Sequence, residues 1–79
     1  MLRTNAGQLV EGGPTRFLRR REVEARTGLS TSGIYAAIAR GDFPKPIAIG
    51  AQSRAWVESE IIAWQRARLA AAGRLREEA

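Results

Sequence analysis

Cysteine and histidine are both absent from this chain of 79 residues. The first absence excludes disulfides and thiolate metal sites. The second removes the commonest metal ligand and the usual general base near neutral pH. Long apolar runs are missing too. None approaches the ~20 residues that span a bilayer, and the first residues lack the apolar stretch of a signal peptide. A chain this short forms one domain at most, burying only roughly 60% of its unfolded surface, which leaves little material for a deep catalytic cleft. The expectation is a soluble cytoplasmic protein that is not an enzyme and uses no cofactor, metal, membrane or small-molecule substrate.

Positive charge is what the chain has in excess. The formal net charge is +5, and its placement is uneven. Between Thr15 and Val57, Arg16, Arg19, Arg20, Arg21, Arg26, Arg40, Lys45 and Arg54 stand against Glu22, Glu24 and Asp42. Arg3 and Glu11 cancel before that segment. After it, Arg66, Arg68, Arg74 and Arg76 balance Glu58, Glu60, Glu77 and Glu78. A localised excess of this kind suits a polyanionic partner. Lys45 is the one basic residue that is not arginine, and the planar guanidinium fork fits phosphates and guanine edges.

Residues 1–14 lack periodicity and end in Gly12-Gly13-Pro14, so they read as a flexible leader. Thr15 to Thr27 reads as an entry segment and a short first helix. Gly28 follows, in the position where helices turn through positive φ. Ser30 is a fitting N-cap for a second helix over Thr31–Arg40, with Ile34 and Ile38 on one face and Gly41 closing it. Gly33 in its first turn costs about 1 kcal/mol of helix propensity relative to alanine, tolerable where another backbone must approach. Two helices joined by two or three residues form a helix-turn-helix unit. Pro44 and Pro46 forbid further helix. Ile47-Ala48-Ile49 and Arg54-Ala55-Trp56-Val57, joined by a turn, make a small β-hairpin. A third helix begins near Val57-Glu58, with Glu58 and Glu60 suited to its dipole and Val57, Ile61 and Trp64 along one stripe. It runs to about Gly73, and residues 73–79 are expected to fray. Leu18, Val23, Leu29, Trp56 and Trp64 are the expected core, with Phe43, Pro44 and Pro46 packed under the hairpin.

The stretch RFLRRREVEARTGLSTSGIYAAIARGDFPKPIAIGAQSRAWVESEIIAWQRAR, residues 16–68, resembles the AlpA-type phage regulators. These are small winged-helix relatives of the MerR DNA-binding domain and of phage excisionases. The shared pattern is an FLR entry, a TGLS turn before an IY helix, a G-x-FPKP connection, and W-x-x-S-E-I-x-x-W. The resemblance implies a mainly α fold with a small β-hairpin, a winged helix-turn-helix of three helices plus wing spanning residues 15–72. It also implies sequence-specific binding of double-stranded DNA, with the second helix in the major groove and the wing against backbone or minor groove. Members act as transcription regulators or as excision factors that bend DNA beside an integrase, and the residues leave these two open. A partner integrase or a second copy on adjacent sites belongs to the same expectation.

Candidate DNA contacts follow. Ser30 caps and can meet phosphate, while Thr31 and Ser32 then point outward. Tyr35 lies off the apolar face, either touching DNA or packing its ring. Ala36 and Ala39 form a smooth face that fits thymine methyls or serves as neutral filler. Arg54, just past the hairpin tip, is placed to enter a narrow minor groove or clamp a phosphate, with Gln52 and Ser53 as companions. Arg19, Arg20 and Arg21 open the first helix, where cations oppose the dipole, which suggests either phosphate contact or a merely solvated cluster. Arg40 and Lys45 flank the connection within reach of the backbone. A protein-interaction module docking through the alanine-rich third helix is the competing class.

Overall fold

The computed structural model describes residues 16–74. The expected leader, residues 1–14, and all but the start of the expected frayed tail lie outside the described residues. Strand β1 (Phe17–Leu18) leads into helix α1 (Arg20–Thr27) and helix α2 (Thr31–Ala39). Strands β2 (Ile47–Ala48) and β3 (Arg54–Val57) follow, and helix α3 (Glu58–Ala71) ends the described chain. Mainly helical, with a small antiparallel sheet, this is the expected winged helix-turn-helix architecture.

The sheet has one strand more than the hairpin expected from sequence. Its order is β1-β3-β2, with Phe17 opposite Val57 and Leu18 opposite Trp56, and Ile47 opposite Ala55. Two-residue strands are too short to announce themselves by alternation. The entry segment becomes a strand because β3 offers it a free edge. The carbonyl of Arg16 extends that pairing by accepting the Glu58 N–H at 2.8 Å.

Local chemistry sets the helix ends. Arg19 occupies the N-cap of α1, and its backbone N–H donates to the Glu22 carboxylate at 2.8 Å, half of a capping box. Gly28 ends α1 at φ 78°, donating its N–H to the Glu24 carbonyl at 2.8 Å. An L side chain adopts this conformation only with strain. The Ser30 hydroxyl caps α2 as expected, accepting the Gly33 N–H at 3.0 Å. A Cβ placed on Gly33 would meet side chains, Ser30 Oγ at 3.4 Å and Leu29 at 3.8 Å. No protein backbone among the described residues crowds that position.

Leu18, Val23, Ile34, Ala37, Phe43, Trp56 and Ile61 form the buried cluster, flanked by Leu29, Ile38 and Trp64. Ala37 rather than Ile38 completes the innermost face of α2. Phe43 packs edge-on against Trp64 at 4.9 Å between centroids, so it belongs with α3 as much as with the hairpin. The tryptophans have a second task. Trp56 Nε1 donates to the Pro44 carbonyl at 2.9 Å, and Trp64 Nε1 donates to the Asp42 carbonyl at 2.8 Å. Both indoles thus pin the proline-rich connection between α2 and β2, which sets where the hairpin emerges relative to α2. Glu58 does more than favour the α3 dipole, since its carboxylate also accepts from Arg26 at 3.0 Å and ties α3 to the end of α1.

Candidate nucleic-acid interface

Four structural details build one face of the molecule. The N-terminal end of α1 starts directly from β1, so Arg19, Arg20 and Arg21 are held beside the sheet. The β2–β3 turn is closed by Ile49 N–H donating to the Ser53 carbonyl at 2.8 Å, which puts Gln52 and Ser53 in the turn and Arg54 at the start of β3. Arg54 pairs across the hairpin with Ala48, a residue too small to obstruct it. Tyr35 leans its ring on Trp56, 6.4 Å between centroids at an interplanar angle of 60°, and stays 48% exposed.

Together these residues line a groove of about 460 Å³. The arginine triplet comes from α1, the Gln52–Arg54 segment from the wing, and Tyr35 from α2. Seven candidates scattered over more than thirty sequence positions therefore share one concavity. Arg19, Arg21 and Arg54 form no ion pair with a carboxylate among the described residues, although Arg21 lies near enough to Glu24 to favour its charged form. A groove with this lining attracts anions.

The remaining candidates are arranged less uniformly. The Ser30 hydroxyl accepts its capping bond from the Gly33 N–H, which uses none of its donor capacity. Thr31 is engaged by α1, since its hydroxyl donates to the Glu24 carboxylate and accepts from Arg20 Nη1 at 2.9 Å. Ser32 is exposed and shares the outward stripe of α2 with Tyr35, Ala36 and Ala39. Arg40 and Lys45 are exposed but do not line the groove, and Arg40 Nε is paired with Asp42 at 3.0 Å.

Sequence reasoning missed two contributors. Trp56 lines the groove as well as filling the core, a double role that apolar periodicity cannot reveal. Glu24 binds both Arg20 and Thr31. The Thr31 hydroxyl, and then Arg20, hold its carboxyl below the usual glutamate range. Its spacing of four residues from Arg20 was the available signal. Among the described residues there is no cluster of acidic side chains that could hold a metal ion, and no helix long and apolar enough to cross a membrane.

Residues 16–69 match the family model described as prophage CP4-57 regulatory protein (AlpA). An uncharacterised protein of enterobacteria phage P4, ORF88, is 46% identical over 55 residues, covering 70% of this chain and 62% of the relative. The matched part is less than two thirds of that relative's length. The family match begins at the entry strand and ends inside α3, enclosing every element that shapes the groove, and on that basis the chain belongs to the AlpA family of phage regulatory proteins.

Proposed function

We propose that this protein is a sequence-specific double-stranded DNA-binding regulator of a phage or prophage. Helix α2 enters the major groove, and the β2–β3 wing lies on the backbone or in the minor groove. The observation that carries this reading is the groove that gathers Arg19, Arg21 and Arg54 with the exposed edge of Tyr35. Helix α2, nine residues long, is about 14 Å at 1.5 Å per residue, a length that fits across a major groove about 12 Å wide. Its outward stripe offers two hydroxyls and two methyls, so base readout is sparse and DNA shape contributes. The wing arginine adds affinity on any duplex by clamping a phosphate or entering the minor groove. No catalytic role enters this reading, and its setting is the cytoplasm, on the nucleoid when DNA is bound.

Selection from random duplexes followed by footprinting tests the proposal. A recovered consensus protected by the protein supports it, and failure to enrich any duplex refutes it. The footprint also separates the two activities that the family allows. One protected site at a promoter marks a transcription regulator. Several phased sites with bending mark an excision factor acting beside an integrase.

A second reading has its own observation. Ile62 and Leu69 of α3 are 40% and 45% exposed and lie seven residues apart, on one side of the helix. They favour a protein-docking role for α3, with an integrase or a second copy as partner. That reading predicts complexes indifferent to salt.

A further inference from the structure

Arg20, Glu24 and Thr31 close a ring between the first turn of α1 and the first turn of α2. Arg20 Nη1 donates to Glu24 Oε2 at 2.7 Å and to Thr31 Oγ1 at 2.9 Å. The Thr31 hydroxyl gives its hydrogen to the same Glu24 oxygen. Two consequences follow. Thr31 has spent its one donor inside the protein, so it has none left for a base edge or phosphate. Arg20 is the one groove arginine in an ion pair with a carboxylate among the described residues, while Arg19, Arg21 and Arg54 form none.

We propose that Glu24 is a specificity-determining residue for DNA: it withholds Arg20 from the phosphate backbone and pins the start of α2 to α1. This inference rests on the DNA-binding reading. Binding to arbitrary duplex is governed by the number of phosphates that cations neutralise. Binding to the target site draws in addition on base contacts and DNA deformability. A carboxylate beside the groove therefore subtracts proportionally more from the first than from the second. Pinning α2 acts in the same direction, because a recognition helix held at one angle fits fewer wrong sequences. Glu24 needs no contact with DNA for either effect and is a positioning residue.

The test measures affinity for the selected target duplex and for a shuffled duplex of equal length, across roughly 50 to 200 mM salt. Glu24→Gln removes the charge while keeping an oxygen that accepts from Thr31, and Glu24→Ala removes both. Both variants are expected to bind the shuffled duplex several-fold more tightly and to steepen its log–log salt slope by about 0.9, one additional phosphate. The ratio of target to shuffled affinity falls. Adding Arg20→Met to Glu24→Gln removes the gain in slope, which a merely structural role for Glu24 would not produce. Glu24→Asp, which keeps the charge, holds the slope near that of the parent. Unchanged slopes in both charge-removing variants, or equal losses on both duplexes, overturn the proposal and leave the DNA-binding reading standing. Absence of binding to any duplex by the parent protein overturns both.

Discussion

Arg54 carries the clearest expectation for a single side chain. It is exposed at the start of β3, without a carboxylate partner among the described residues, and it lines the groove. Arg54→Ala is expected to weaken binding to target and shuffled duplexes by a similar factor and to lower the salt slope by about 0.9. Unchanged affinity at physiological salt would contradict the wing's role. Glu24 supplies a prediction about pH. Its carboxyl titrates below the usual glutamate range in the folded protein, chiefly because of the Thr31 hydroxyl and then Arg20. Its folded value lies below its unfolded one, so its stabilising contribution is complete above the ordinary glutamate range. That contribution is lost as the pH falls through the folded value. Thermal melts of the parent and of Thr31→Ala should therefore converge as the solution is acidified. A gap that persisted at low pH would remove the hydrogen bond as its cause.

At the scale of elements, two glycines near the start of α2 should respond in opposite directions. Gly28 sits at φ 78° with open space around it, so Gly28→Ala costs roughly 1–2 kcal/mol through backbone strain alone. Gly33 lies inside α2, where an added methyl group meets Ser30 Oγ at 3.4 Å and Leu29 at 3.8 Å. Gly33→Ala is expected to raise stability by about 1 kcal/mol, a shift of roughly 4–8 °C in Tm for a domain of this size. Calorimetry on the pair checks both signs. The outward stripe of α2 gives the matching functional expectation. Ser32→Ala and Tyr35→Ala should change the selected consensus while leaving the salt slope in place, since neither side chain carries charge. A consensus identical to the parent's in both variants would move base readout away from α2. Helix α1 was legible from Gly28 at its end, α2 from the Ser30 cap and Gly41, and α3 from Glu58 and Glu60 with the Val57, Ile61 and Trp64 stripe. Strand β1 was not, since Phe17 and Leu18 become a strand only when Val57 and Trp56 are brought alongside.

The whole molecule is a small core that holds three separately encoded pieces of one groove in one place. The sequence declared the pieces: an arginine triplet, a serine-capped helix and an arginine after a turn. Their convergence could not be read from it. It depends on two indole N–H groups anchoring the connection between α2 and β2, and hydropathy records only that tryptophan is apolar. Arg40 and Lys45, chosen from sequence because they flank the connection, do not line the groove. Binding to duplex DNA as a function of salt is the measurement that reaches the central claim most directly. With Arg19, Arg21 and Arg54 meeting phosphates, log affinity should fall linearly with log salt at a slope of about −2.7, about −0.9 for each phosphate neutralised. Affinity that ignores salt, or no binding to any duplex in dilute buffer, would contradict the account.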